Sequence, residues 1–325
     1  MRILPVFLPH RGCPFTCVYC DQHAIASPAP TEEALTEQLR AFCTGEARPR
    51  QVAFFGGTFT ALPLDEQTRW LDVVAPWLPL LDGVRISTRP DSYDEPHLRW
   101  LRGRGVRTVE LGVQSFADAE LTATRRGYTG QQAEDGCRLV QRADLELGVQ
   151  LMPGMPGHSA QGWRHTLDAT LHLKPAFVRL YPLVVLRGTG LECWWREGSY
   201  TPLSLAEAAQ LCAAAMDELE PAGIAVAKVG LHGDLAPQAV LAGPWHAAFG
   251  EEVRRHRLLR RLPRHLAEGE RLVLSVRDTS LVHGEGGWLL QEMKKRLCRH
   301  KIPILFDSQQ QAGTLWVEKV SSSTL

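Results

Sequence analysis

Three cysteines, Cys13, Cys17 and Cys20, stand at the spacing C-x3-C-x2-C in a short stretch that follows the apolar run Ile3 to Leu8. Thiolates are soft ligands, and three of them on one loop suit a thiophilic metal centre. The number three carries information. A structural zinc ion takes four protein ligands, and a 4Fe–4S cluster held wholly by protein takes four cysteines. A loop that offers three leaves one iron of such a cluster open to another molecule. A zinc site of three cysteines and one histidine stays open as an alternative, because His10 and His23 flank the loop.

With this spacing, and with Tyr19 just before the third cysteine, the chain resembles the radical S-adenosylmethionine (radical SAM) enzymes. The resemblance implies a 4Fe–4S cluster on Cys13, Cys17 and Cys20, with its open iron chelated by the amino and carboxylate groups of S-adenosylmethionine. It implies reductive cleavage of the sulfonium to a 5′-deoxyadenosyl radical, which abstracts a hydrogen from a substrate. A low-potential electron donor of the flavodoxin or ferredoxin type is then required. The cofactor carries the hard chemistry, and the protein positions and shields it.

The same resemblance assigns cofactor-site roles elsewhere. Gly56-Gly57-Thr58 follows the apolar run Gln51 to Phe55, where glycine lets backbone approach a small ligand. Related enzymes often carry glutamate at the third position, so backbone carbonyls and the Thr58 hydroxyl would replace it. Gln114 and Arg126, twelve residues apart, are expected on the nucleoside and carboxylate of S-adenosylmethionine. Arginine suits a carboxylate because it makes a forked, charge-assisted pair; a solvated helix-end charge is the plainer role. Ser87 stands where relatives commonly have glutamate, and Asp91 is placed either nearby or as a cap on the following helix. Met152, opening Met-Pro-Gly-Met-Pro-Gly, is expected on the adenine side. No residue stands out as a general acid or base; Tyr181, Lys228 and His232 are polar candidates near the barrel's end.

The likeness narrows further. Phe55-Gly56-Gly57-Thr58-Phe59, Thr88-Arg89-Pro90-Asp91, Gly112-Val113-Gln114-Ser115, Leu151 to Gly157 and Tyr181 to Leu191 resemble the radical domain of the Elongator catalytic subunit, a tRNA wobble-uridine modifying enzyme. The likeness runs over about residues 1 to 230. It departs in the tighter spacing of the first two cysteines and in the lack of a recognisable acetyltransferase region. Oxygen-independent coproporphyrinogen dehydrogenases are more distantly similar, but they carry a further cysteine where this chain has Gln22.

Elements must place these residues together. The chain has 325 residues, 44% of them hydrophobic, which is ample for one large α/β domain and an appendage. Charges balance at 36 and 36, so no global field advertises nucleic acid or membrane. There is no long apolar run or signal-peptide pattern, and eight cysteines without one suit a reducing cytoplasm. The five cysteines outside the loop read as small buried hydrophobes.

Strand-like runs at Ile3 to Leu8, Gln51 to Phe55, Val84 to Thr88, Thr108 to Val113, Leu147 to Met152 and Phe177 to Pro182 alternate with amphipathic helices. The pattern predicts a partial (β/α)6 TIM-like barrel over residues 1–200, with a doubly wound sheet as the alternative. In either fold, ligand groups gather at the C-terminal strand ends. Residues 201–325 read as a smaller C-terminal α/β extension. It takes Ala225 to Leu231 and Arg271 to Val276 as strands, a closing hairpin of Ile302 to Phe306 with Thr314 to Val317, and a frayed tail at Ser321 to Leu325.

RNA is a candidate substrate. Arg254, Arg255, Arg257, Arg260, Arg261 and Arg264 form a basic block, and Lys294, Lys295, Arg296, Arg299 and Lys301 form another. Such blocks can hold phosphates; a solvated basic helix face is the plainer reading. Trp194-Trp195 reads as packing. The expectation is a radical SAM enzyme acting on an unidentified substrate, tRNA among the candidates. A radical enzyme for a small molecule and a non-catalytic iron–sulfur or RNA-binding adaptor are the rivals.

Overall fold

The computed structural model describes residues 2–8, 12–14, 16–20, 30–44, 50–231 and 237–320. His10, Gln22, His23, His232 and the tail from Ser321 lie outside the described residues. Strands β1 (Arg2–Phe7), β2 (Arg50–Phe55), β3 (Val84–Thr88), β4 (Val106–Gln114), β5 (Glu146–Leu151) and β6 (Phe177–Leu180) lie side by side in chain order. Two short strands, β7 (Val185–Leu186) and β9 (Val240–Ala242), pair with each other. Between them in sequence, β8 (Ala225–Val229) joins the main sheet beside β6.

Every neighbouring pair in this seven-stranded sheet is parallel. The order never reverses, which a doubly wound sheet requires. The sheet is therefore a half-barrel, and its helices cover one face. Helices α1 (Glu32–Cys43), α2 (Leu64–Val74), α3 (Glu95–Gly103), α4 (Asp118–Ala123), α5 (Gly130–Arg142), α6 (Ala160–Leu173) and α7 (Gly190–Arg196) follow the strands. Thr31, Asp94, Thr129, Ser159 and Thr189 cap five of them by accepting from an N–H three residues on.

The two sheet faces separate by residue type. Val109, Leu111 and Val113 of β4 are fully buried on the helix side, as are Leu98 and Leu101 of α3. Each such leucine contributes about 1.5–3 kcal/mol by leaving water. The alternate residues of β4, Thr108, Glu110, Gly112 and Gln114, fall on the concave face, because strand side chains alternate with period two. That face is polar, and it is the inside of the half-barrel.

Two compact units emerge. The larger is Met1–Ser204 with Leu219–Trp245, and the smaller is Leu205–Glu218 with His246–Leu325. The run at Ala225, expected in the extension, is instead the seventh barrel strand: β8 is hydrogen-bonded to β6 in parallel from Phe177↔Ala225 to Leu180↔Val229. Helix α8 (Leu205–Leu219) interrupts the larger unit.

In the smaller unit, α9 (Phe249–Arg260), β10 (Glu270–Ser275), α10 (Thr279–His283), α11 (Trp288–Arg296), β11 (Ile304–Asp307) and β12 (Leu315–Lys319) enclose a core that includes Leu258, Leu272, Leu274, Val282, Leu289 and Met293. The expected hairpin of β11 with β12 does not form. Both pair with β10, β11 parallel and β12 antiparallel, because β10 is the buried strand and takes the centre. Of the isolated cysteines, Cys137 and Cys212 are buried as expected, Cys43 is half-buried, and Cys193 and Cys298 are exposed.

Candidate active site

The cysteine loop follows β1 and lies over the C-terminal ends of the strands. The amide of Cys20 donates to the Cys17 carbonyl at 3.0 Å, which turns the loop back on itself. Val18 donates to the Thr124 carbonyl, and the Val18 carbonyl accepts from Leu191 at 2.7 Å. Cys17, Val18 and Tyr19 sink into an apolar cluster with Met155, Leu183, Leu191 and Tyr200, against which Trp194 and Trp195 pack. The tryptophans thus have the packing role expected of them. The glycine before Cys13 is required: Gly12 has φ +79°, and a Cβ there would lie 2.3 Å from the Thr58 carbonyl oxygen. This close approach sets the cysteine loop against the glycine turn after β2.

Cys13, Cys17 and Cys20 line one cavity of about 520 Å³ together with Tyr19, Gly56, Gly57, Thr58, Gln114 and Arg126. Nine of the ten residues singled out for cluster and cofactor are therefore together. The tenth, Met152, lies against the apolar cluster beneath the cysteine loop and is not on the cavity wall.

Arg126 is buried, not a solvated helix end. Its Nη1 donates to Cys17 Sγ at 3.2 Å and to the Tyr19 hydroxyl at 3.3 Å; its Nη2 donates to the Gly112 carbonyl and, at 2.7 Å, to the Tyr128 hydroxyl. Burial alone would lower its pKa, but Tyr128, Tyr19 and Cys17 around it outweigh that and hold the guanidinium well above its ordinary value. Burial raises the Tyr19 hydroxyl in turn, against the pull of Arg126. A permanent cation beside Cys17 suits a metal-bound thiolate, which is anionic. Thr58 is buried, with Oγ1 3.4 Å from Cys13 Sγ.

Gln114 ends β4 with φ +69°, a left-handed conformation for a non-glycine residue. Its side-chain Oε1 is buried with no hydrogen-bond partner among the described residues, and so is the Ser87 hydroxyl on the same cavity wall. Strain and unsatisfied polar atoms together mark a place where a ligand completes the bonding. Asp91 neither lines the cavity nor caps α3, whose cap is Asp94. It holds Arg89 instead, with both oxygens accepting from the guanidinium at 2.9 and 2.8 Å.

These features test the site against a 4Fe–4S cluster with S-adenosylmethionine on its open iron. Three thiols lie around one cavity beside polar atoms that lack partners. Among the described residues, no three Cys, His, Asp or Glu side chains converge as ligands of a single metal ion. Three thiols on one cavity wall fit the cluster; His10 and His23, the histidines of the zinc alternative, lie outside the described residues.

Deeper in the cavity, beside the candidate Tyr181, lie residues that reading the strand ends overlooked: Glu110, Gln150 and Arg179. Their signal was present. Charged residues alternate with fully buried aliphatic ones along β3, β4, β5 and β6, which on a parallel strand points the charges into a barrel. The basic block of α9 is also differently employed. Arg257, Arg260 and Arg261 all pair with Asp217, Arg255 pairs with Glu252, and Arg254 lies near Glu251 and Asp278. These pairings tie the smaller unit together.

An open parallel half-barrel with a three-cysteine loop at its strand ends defines a class of iron–sulfur α/β enzymes. The model of the Radical SAM superfamily matches residues 7–170, half the chain, and that of a Radical SAM C-terminal domain matches residues 175–263. The chain belongs to the radical SAM superfamily, whose members use a 4Fe–4S cluster and S-adenosylmethionine. It is 32% identical over 129 residues to a tRNA uridine(34) acetyltransferase of Methanocaldococcus jannaschii, a match over 39% of this chain and 24% of that protein. The chain thus spans about a quarter of the length of that relative. An uncharacterized protein of the same organism is 24% identical over 247 residues, 74% of each chain. The structure of the archaeal Methanocaldococcus infernus Elp3 superposes with a TM-score of 0.65 at 21% identity, over 82% of this chain and 66% of that one, and has the same fold. No helix among the described residues is long and apolar enough to cross a membrane.

Proposed function

We propose that this chain reductively cleaves S-adenosylmethionine and uses the product to take a hydrogen atom from a substrate. The observation that carries the reading is the shared cavity of three cysteine thiols, the Gly56-Gly57-Thr58 turn, Gln114 and Arg126. Cys13, Cys17 and Cys20 would hold the cluster. When bound, cluster and S-adenosylmethionine supply one-electron, hydrogen-abstracting chemistry. The chain's own contribution is placement. Arg126 keeps a fixed positive charge against Cys17, and Thr58 offers a hydroxyl to Cys13. Gly56 and Gly57 leave room for an amino group to meet backbone carbonyls. Gln114 and Ser87 present unpartnered polar atoms to the nucleoside side. Arg89 belongs to the supporting layer, for it donates to the Arg126 carbonyl and fixes that backbone. A low-potential donor of the flavodoxin or ferredoxin type completes the system.

The test is anaerobic reconstitution of the full chain with iron and sulfide, reduction, and addition of S-adenosylmethionine. The parent chain is expected to release 5′-deoxyadenosine and a Cys17→Ala variant to release none. A fully loaded, reduced chain that yields none, with tRNA and cell extract present, would sink the catalytic reading in favour of an adaptor.

A tRNA substrate is the second reading, and the likeness to a tRNA uridine(34) acetyltransferase favours it. The paired state of Arg254, Arg255, Arg257, Arg260 and Arg261 speaks against RNA binding through that helix. Stimulation of 5′-deoxyadenosine release by a tRNA transcript, and not by small metabolites, is the result that would establish it.

A further inference from the structure

Below the layer that faces the cysteines, the half-barrel carries a second polar layer. Glu110 of β4 stands between Arg85 of β3 and Arg179 of β6. Its Oε2 is 3.4 Å from Arg85 Nη1 and its Oε1 is 2.9 Å from Arg179 Nε. Gln150 of β5 donates to the same Oε1 at 2.5 Å. β8 sets Lys228 in register with Arg179 and so on the same sheet face. The layer beneath is closed by Phe177, whose ring would be struck at 2.2 Å by any Cβ on Gly148.

Two guanidinium groups, Arg85 and Arg179, share the carboxylate of Glu110, while Glu146 at the exposed start of β5 also acts on Arg85. Arg85 is kept off the cavity wall: its Nε donates to Gln51 at 3.1 Å, Nη1 to Glu110, and the guanidinium stacks on Phe177 at 4.6 Å. Arg179 is not. It lines the cavity, its Nη1 donates to the Tyr181 hydroxyl at 3.1 Å, and Nη2 has no hydrogen-bond partner among the described residues. Burial alone would lower this guanidinium's pKa, but Glu110 and Tyr181 outweigh that and raise it, so the charge is permanent. A guanidinium nitrogen that opens on the cavity can make a charge-assisted bond to an incoming anion.

We infer that Arg179, with the Tyr181 hydroxyl and the Gln150 amide, is the binding site for an anionic group of the substrate, a carboxylate or a phosphate monoester, seated on the cavity floor beneath the cofactor. The inference rests on the proposed function for the word substrate and on the geometry for the anion. A terminal group is required. An internal RNA phosphodiester carries a nucleoside on either side and does not reach a floor set inside the strand ends. A cavity of about 520 Å³ is of the size that takes a small molecule.

The experiment titrates the cluster-free full chain with inorganic phosphate, followed by 31P line broadening, and with [13C]acetate, followed by 13C line broadening. One saturable site is expected, and the anion that binds more tightly distinguishes phosphate from carboxylate. Arg179→Gln is expected to weaken binding at least tenfold, and Arg179→Lys, which keeps the charge but loses the fork, to weaken it several-fold. Circular dichroism checks each fold; should the glutamine variant not fold, Arg179→Lys and Tyr181→Phe carry the test. No saturable binding of either anion, or equal binding by parent and variants, overturns the inference. S-adenosylmethionine binding to the reconstituted chain is measured beside it. Its loss in Arg179→Lys would assign the guanidinium to the cofactor's carboxylate and overturn the inference as well. Anion binding that depends on Arg179 stands whether or not the chain makes 5′-deoxyadenosine, so the two readings fail separately.

Discussion

Thr58 occupies the position where a glutamate is common in similar enzymes, and its hydroxyl faces Cys13 Sγ at 3.4 Å. Against a metal-bound thiolate, only the hydroxyl can donate. Hydrogen bonds to cluster sulfurs withdraw electron density and raise the reduction potential. Thr58→Val keeps the shape and deletes the donor. We expect the reconstituted cluster's midpoint potential to fall by on the order of tens of millivolts, the equivalent of one modest hydrogen bond. Spectroelectrochemical titration reads this without any turnover, and an unchanged potential would remove Thr58 from the cluster's surroundings. At this scale the convergence of the cysteines, Gly56, Gly57, Thr58 and Arg126 on one cavity was legible, because their types and strand-end positions are visible in the sequence. The partners of Arg126 were not: Gly112 and Tyr128 reach it only through tertiary folding, and Asp91 looked like a cap when the cap was Asp94.

Helices hold the site through few bonds, and one of them is sensitive to pH. Gln67 of α2 donates to the carbonyls of Thr60 and Leu62, at 3.2 and 2.8 Å, and so fixes the turn that follows Gly56-Gly57-Thr58. Its Oε1 accepts from His97 Nε2 of α3 at 2.8 Å. Burial lowers the His97 pKa from its ordinary 6.5, a shift Asp94 only partly offsets. The folded chain therefore binds this proton less readily than the unfolded chain. The contribution to stability is present above about pH 6.5 and is lost as pH falls through the lower, folded value. The melting temperature of the parent should drop more steeply between pH 7 and pH 5 than that of His97→Gln. Parallel slopes for the two would show that His97 does not contribute. Element positions were largely readable, since period-two alternation and amphipathic helix patterns are local signals. Which face of β3 to β6 becomes concave is set by the closing of the sheet, a tertiary property.

For the molecule as a whole, the chain passes from the larger unit to the smaller, back for β8, and out again. Local pattern could not reveal this. Ala225–Val229 is a short, weakly apolar run whose partner, β6, lies beyond an intervening ribbon strand and two helices. A chain ended at residue 200 would leave the β6 edge without its neighbour, and unpaired strand edges associate. We expect the 1–200 fragment to aggregate on size exclusion and to lose a cooperative urea transition, whereas the full chain retains both a discrete elution and the transition. A monomeric, cooperatively unfolding 1–200 fragment would show β8 to be dispensable.

The order of the sheet also sets an order in time. During synthesis the thiols of Cys13, Cys17 and Cys20 leave the ribosome before any strand beyond β1, whereas the floor that encloses them, Gln150, Arg179 and Tyr181, is made much later. For most of its production the chain carries three bare sulfurs and no chamber. We expect metal loading to be a finishing step, with those sulfurs kept reduced until β6 has arrived.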